Sequence, residues 1–131
     1  MSLIDAIENE NYELADQLIT KGYGLDETDY YGYTPLISLL WKVPRHKVRL
    51  EFITKLIDAS VDVNIKNHAG WTALFFAVYI NNSIRVLIDA GADINIKNNN
   101  GDTALSYAIK HKHYRIYSSV DAVKMLIEAD Y

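Results

Sequence analysis

The feature that most constrains this chain is a short pattern that returns three times: a glycine, a variable residue, a threonine, a proline or alanine, and a leucine. The three glycines stand 38 and 31 residues apart. A repeat of this length indicates supersecondary units that stack on one another, because one unit cannot bury its apolar face alone. The copies are Gly32-Tyr33-Thr34-Pro35-Leu36, Gly70-Trp71-Thr72-Ala73-Leu74 and Gly101-Asp102-Thr103-Ala104-Leu105.

Each unit carries the signals of two short helices. Thr34, Thr72 and Thr103 suit helix N-caps, since a threonine hydroxyl accepts a hydrogen bond from a first-turn amide. Apolar residues then follow at helical spacing, and a second apolar helix follows a connection of variable length. The first helices show Leu36, Leu39 and Leu40; Leu74, Ala77 and Val78; and Leu105, Ala108 and Ile109, and the second helices show Phe52, Ile53, Leu56 and Ile57; Ile84, Leu87 and Ile88; and Val123, Leu126 and Ile127.

Together with the segment Gly91-Ala92-Asp93-Ile94-Asn95, these boxes resemble those of ankyrin-repeat proteins. The resemblance covers essentially the whole chain and implies an all-α solenoid of about four stacked helix-pair units with short hairpin loops. It implies one domain over residues 1–131, with units at 2–29 as N-terminal cap, 30–67, 68–98, and 99–131 as C-terminal cap. In unit two and unit four, the connection between the helices is about five or six residues longer than the family pattern.

Two departures from the family pattern lie at the ends of the second helices. Gly91 suits a left-handed end to its helix, whereas Ser60 and Asp130 stand where the family pattern has glycine. A left-handed residue other than glycine costs conformational energy, so those two ends are expected to be less stable.

Composition excludes several classes of protein. The chain has no cysteine, which excludes disulfide frameworks, thiolate metal sites and a cysteine nucleophile. Its longest apolar run, from Ala73 to Ile80, is too short to span a bilayer, and the N-terminus lacks a signal-peptide pattern. We therefore expect an intracellular protein in a reducing compartment, with no membrane association.

The chain is also rich in residues with A- and T-rich codons. Asn, Ile, Lys and Tyr make up 44 of its 131 residues. This composition favours an AT-rich genome, such as that of a virus, a phage or an intracellular bacterium. For a viral or effector protein, the expected compartment is the host cytoplasm or nucleus.

The sequence gives little support for catalysis. His111 and His113 are spaced as a metal-binding pair, but no third ligand follows at a suitable spacing. The glycines belong to repeat turns and form no phosphate-binding loop. The prediction is a protein that is not an enzyme and uses no cofactor or metal; a metal-dependent enzyme using the two histidines is a remote alternative.

The resemblance implies that partners bind on the concave face, formed by the hairpin tips and the exposed side of each first helix. Exposed aromatic side chains on one face indicate an interaction site, since they supply contact area at low entropic cost. The predicted function is therefore a non-catalytic module that binds and blocks a target protein, such as a host protein, through a concave aromatic face. The expected partner-binding residues are Tyr30, Tyr31, Tyr33, Trp41, Lys42, His68, Ala69, Trp71, Tyr79, Ile80, Asn99, Asn100, Asp102, Lys110 and His111.

An alternative function comes from the two long connections, which are basic. A short connection between two long ones would leave a positively charged notch for a phosphate, a nucleic-acid backbone or an acidic protein segment. The net charge of −4 argues against general nucleic-acid binding. The alternative is thus a receptor for an acidic ligand or nucleic acid through Arg45, His46, Lys47, Lys112 and Arg115.

Overall fold

The computed structural model describes residues 1–43, 46–78, 80, 83–110 and 116–129, without the side chains of His46 and residues 116–122. This described part contains eight helices and no β-strand, which confirms the all-α class. Each odd-numbered helix packs against the helix that follows it, giving four helix pairs. The helices are α1 (Leu3–Glu8), α2 (Tyr12–Lys21), α3 (Pro35–Lys42), α4 (His46–Asp58), α5 (Ala73–Ala77), α6 (Ser83–Asp89), α7 (Ala104–Lys110) and α8 (Ile116–Ala129).

The first compact unit, Met1–Asp62, contains α1 to α4. Helix α1 packs against both α2 and α3, and α4 packs against α2 and α3. Fully burying one aliphatic side chain contributes about 1.5–3 kcal/mol, so these apolar faces hold the four helices together. The most completely buried of them belong to Leu3, Ile7, Ile37, Leu39, Ile53 and Leu56.

Polar caps fix where the helices of this unit begin. Ser2 and Asp5 form a capping box at α1, in which each side chain accepts a hydrogen bond from the other's amide, and the bond to Ser2 lowers the pKa of Asp5. The Thr34 hydroxyl accepts the amide of Ile37 at 3.2 Å, and Pro35 fills the first position of α3. The predicted N-cap at Thr34 is therefore confirmed.

The long connection expected in unit two is largely helical. Helix α3 ends at Lys42 and α4 begins at His46, well before the apolar face that starts at Phe52. The half-buried Arg49 side chain donates to the carbonyl of Val43 at 3.0 Å, and burial lowers the pKa of its guanidinium. The additional residues thus form the first turns of α4, and the expectation of a long loop at this place is wrong.

The second compact unit, Val63–Tyr131, contains α5 to α8. Helix α5 packs against α6 and α7, and α8 packs against α6 and α7. Its core includes Leu74, Phe75, Val78, Leu87 and Leu126.

The capping prediction holds only in part for this unit. The Thr103 hydroxyl accepts the amide of Ser106 at 3.2 Å, as expected of an N-cap. Thr72 precedes α5 in extended conformation, but its side chain makes no capping hydrogen bond. The predicted cap is therefore confirmed for Thr103 as a hydrogen bond, whereas for Thr72 only the position is right.

Positive-φ residues end the second helices where they are described. Gly91 has φ 96°, as predicted, and the next amide, that of Ala92, donates to the carbonyl of Leu87 at 2.9 Å. Ser60 takes the equivalent place with φ 66°, a conformation that costs a residue with a Cβ about 1–2 kcal/mol. Asp130 lies outside the described residues.

Candidate functional site

Three loops of one design precede the first helices of the repeats, and we call them the tip loops 29–33, 67–71 and 98–102. In the first, Asp29 Oδ1 accepts the amides of Tyr31 and Tyr33, both at 2.9 Å. The Asp29 amide donates to the Tyr33 carbonyl at 3.0 Å, and Gly32, with φ 82°, donates back to the Asp29 carbonyl at 3.0 Å. The side chain and the main chain of Asp29 together therefore fix the loop.

Asparagine has the same role in the other two tip loops. Each asparagine Oδ1 accepts the amides two and four residues ahead, and a positive-φ glycine lies three residues ahead. This spacing of Asp or Asn before the glycine was the sequence signal for these anchoring residues, and the sequence analysis missed it. The bonds run from Ala69 and Trp71 to Asn67 at 3.0 and 2.9 Å, and from Asn100 and Asp102 to Asn98 at 2.9 and 3.0 Å.

The tip loop 29–33 presents aromatic rings to solvent. Tyr30 is 84% exposed and Tyr31 is 62% exposed, and their rings meet edge-on with centroids 5.2 Å apart. The Tyr31 and Tyr33 centroids are 6.2 Å apart, so the three tyrosines form one cluster, which we call the tyrosine tip. Trp41, in the last turn of α3, is 58% exposed. The exposure matches the sequence expectation for Tyr30, Tyr31 and Trp41, and their role in binding stays a prediction.

Lys42 connects the tyrosine tip to α1 and α3. Its ammonium lies 2.6 Å from Glu8 Oε1, 3.8 Å from Asp29 Oδ2 and 5.6 Å from the centroid of the Tyr33 ring. The hydrogen bond to Glu8 raises the pKa of Lys42, so the side chain is a cation under ordinary conditions. Lys42 was expected to contact a partner, and in the structure it also holds the tip against the first helix.

Trp71 lies inside an aromatic cluster. Its ring is half-buried, with centroids 5.7 Å from Phe75, 5.2 Å from Phe76 and 4.8 Å from Tyr107. Trp71, expected among the exposed aromatic residues of the binding face, is therefore only partly exposed, and its role in binding stays a prediction. Phe75 and Phe76 follow it by four and five residues, and Tyr107 comes from the next repeat, so the ring finds apolar partners on three sides.

The tip loop 98–102 also differs from expectation. Asp102 is only 8% exposed, because its carboxylate accepts Lys110 Nζ at 2.6 Å and Ser106 Oγ at 3.2 Å. Asn99 is exposed, but its side chain donates to the His68 carbonyl at 2.9 Å. Asp102 is thus a structural residue rather than an exposed contact.

The remaining predicted residues divide into exposed and undescribed ones. His68, Ala69, Asn100, Lys110 and Lys47 are exposed, and Ile80 is half-buried. Lys47 lies in the first turn of α4 and not in a loop. The His46 side chain is not described. The predicted residues that lie outside the described part of the chain are Arg45, Tyr79, His111, Lys112, His113 and Arg115.

Searches for two other kinds of site found nothing in the described part of the chain. Among the side chains described, no group of three or more His, Cys, Asp or Glu is placed to hold a metal ion. Nor does any described helix have the length and hydropathy needed to cross a membrane.

Comparison with known sequences identifies the repeat. The family model for ankyrin repeats, in three copies, matches residues 39–131, which is most of the chain. A search of curated proteins finds no significant match. The matched region includes two of the three glycine–threonine boxes and all helices from α4 to α8. The chain therefore belongs to the ankyrin-repeat family.

Proposed function

We propose that this protein binds another protein through the tyrosine tip and Trp41, which belongs to the same compact unit. Ankyrin repeats are generally non-catalytic protein-interaction modules. The observation that carries the proposal is the exposure of Tyr30, Tyr31 and Trp41 within one compact unit. Large exposed aromatic side chains of this kind are common at the centres of protein interfaces.

The fixed backbone of the tip loop makes these rings better suited to binding. Asp29 already orders the amides of Tyr31 and Tyr33, and Lys42 holds Asp29 and the Tyr33 ring from the other side. A loop that is ordered before binding loses little entropy on association, and a tyrosine has only two side-chain torsions to fix. The rings therefore offer contact area at low entropic cost.

The test is to remove the two most exposed rings and measure partner binding. In the variant Tyr30→Ala/Tyr31→Ala, capture of the partner from lysate should weaken about 30- to 1000-fold, as for interface hot spots. The melting temperature should stay within a few degrees, because the fold does not bury these rings. Tyr23→Ala is the matched control, since Tyr23 is also 62% exposed but lies outside the tip. Undiminished capture by the double variant would contradict the proposal.

We further propose that binding blocks the target. A module of this kind acts by covering a surface of its target, so the natural ligands of that surface should compete with it. The composition favours a viral, phage or bacterial source and hence a host target. Competition between this protein and the target's other ligands is the measurement that checks this, and simultaneous binding would contradict it.

A further inference from the structure

The tyrosine tip lies in a strongly acidic part of the chain. Residues 1–62 contain 11 acidic and six basic residues. Asp26, Glu27 and Asp29 precede the exposed rings in sequence with no basic residue among them. The Asp26 carboxylate accepts the amide of Asp62 at 2.9 Å and that of Glu27 accepts the amide of Ile4 at 3.0 Å, so of the three only Asp29 bonds within the tip loop. Lys42 is shared between Glu8 and Asp29, so this group of one cation and two carboxylates has a net negative charge.

Lys42 also shows which kind of group the tip binds, namely a cation. Its ammonium lies 5.6 Å from the Tyr33 centroid while a carboxylate of the same loop lies 3.8 Å away. A cation within about 6 Å of a tyrosine ring is attracted by the negative face of the ring. The same unit repeats this arrangement at Lys55, which lies 5.1 Å from the Phe52 centroid and 2.6 Å from Asp16 Oδ1. A cation held between a ring and a carboxylate is thus a recurring contact in this unit.

Tyr30 and Tyr31 offer the same two elements to solvent. Their rings meet at 89°, so the edge of one ring covers one face of the other, and the remaining faces do not take part in this contact. Asp29 follows Asp26 and Glu27 and is bonded to the amide of Tyr31. An incoming guanidinium or ammonium therefore meets exposed rings on a unit of net negative charge, which favours both contact and approach.

We infer that the partner presents an arginine or lysine side chain to the faces of Tyr30 and Tyr31. This inference rests on the proposed function and specifies the partner as a protein segment with basic side chains. The net negative charge of the unit speeds association with a basic surface, and the two rings determine where the basic side chain binds. An apolar partner would gain from the rings but nothing from the carboxylates.

The experiment uses two peptides that differ only in charge. One is a soluble peptide with several arginines, and the other carries citrulline, which is neutral and similar in shape, at the same places. The measurement is the ratio of their dissociation constants for the full chain, with amide shifts of Tyr31 and Gly32 locating the site. We expect tighter binding of the arginine peptide and shifts at those amides.

Three variants separate the rings from the general negative charge. Tyr30→Phe/Tyr31→Phe should keep the arginine preference, because phenylalanine retains the ring face. Tyr30→Leu/Tyr31→Leu should reduce that preference about 5- to 30-fold, the sum of two exposed cation–π contacts. Glu10→Gln/Glu13→Gln removes two exposed carboxylates of the same unit and should change the preference much less.

Three outcomes would overturn the inference. The first is equal binding of the two peptides, and the second is an unchanged arginine preference in the Tyr30→Leu/Tyr31→Leu variant. The third is a loss of that preference in Glu10→Gln/Glu13→Gln as large as in the leucine variant. None of these concerns the proposed function, which stands or falls on partner capture by the alanine variant. Loss of capture by that variant together with equal peptide binding would leave protein binding in place and assign the partner contact to apolar groups.

Discussion

Tyr33 and Trp71 hold the same place at the end of their tip loops and both are half-buried, yet Tyr33 borders two exposed tyrosines whereas Trp71 packs among three aromatic rings. The loops have the same hydrogen bonds, so the backbone does not explain the difference. The following helices do: Trp71 precedes Phe75 and Phe76, whereas the same positions after Tyr33 are Ile37 and Ser38. The same loop hydrogen bonds are therefore compatible with a packed ring or with a ring beside exposed neighbours, according to the helix that follows.

The largest expected effect tests this difference directly. Trp71→Ala should lower the free energy of unfolding by about 2–4 kcal/mol, somewhat below the range for fully buried aromatic residues, because the ring is half-buried. Tyr31→Ala should change it by less than about 0.5 kcal/mol, as for exposed residues. Urea unfolding followed by circular dichroism gives both values. Equal losses in the two variants would mean that the rings do not differ in their structural role.

The glycines of two tip loops offer a matched pair. Gly70 and Gly101 both have φ 79°, but a Cβ on Gly70 would lie 2.8 Å from the amide nitrogen of Asn99, whereas a Cβ on Gly101 would meet nothing within 4 Å. Gly101→Ala should cost about 1–2 kcal/mol for the backbone conformation alone. Gly70→Ala should cost about 1–2 kcal/mol more, because the backbone near Asn99 must move. Thermal or urea unfolding of both variants checks the order, and equal costs would contradict it.

The anchoring residues should be interchangeable between loops. Asp29→Ala and Asn67→Ala each leave two loop amides without their acceptor, which should cost about 1–2 kcal/mol. Asp29→Asn should stay within about 0.5 kcal/mol of the parent, because Asn67 makes the same bonds. Hydrogen exchange at the amides of Tyr31 and Tyr33 reports the loop directly. Faster exchange in Asp29→Asn than in Asp29→Ala would contradict this assignment.

The smallest expected effect concerns Lys42, which lies 13 residues after the anchor Asp29. In the next repeat the residue 13 positions after the anchor Asn67 is Ile80, which has no charge. Lys42→Met should cost up to about 1 kcal/mol at neutral pH, since the ion pair is partly exposed. The folded state raises the pKa of Lys42 above its ordinary value of 10.5, so this contribution is complete below that pH and is lost as the pH rises through the raised pKa. The difference in unfolding free energy between parent and variant should therefore shrink above pH 10.5. A constant difference would exclude the ion pair as its cause.

Local features of the fold could be predicted from the sequence, and long-range ones could not. The glycine–threonine boxes predicted where α3, α5 and α7 begin, and Gly91 predicted a left-handed helix end, because both signals act within a few residues. The burial of Trp71 depends on Tyr107, and the position of Lys42 depends on Glu8, 34 residues away. No local pattern carries that information. The tip anchors were predictable from their spacing before glycine and were missed.

The anchoring of each tip loop by one side chain has a consequence for how such a protein changes over generations. Within the loop 29–33 the anchor side chain bonds only to backbone amides, so the side chains of Tyr30 and Tyr31 make none of the hydrogen bonds that hold this loop. His68 and Ala69, which are exposed, occupy the same two places in the next loop. Mutations there alter the chemistry of the tip and leave its shape intact. Changes in two adjacent codons can thus give the tip loop a different surface while the protein stays folded.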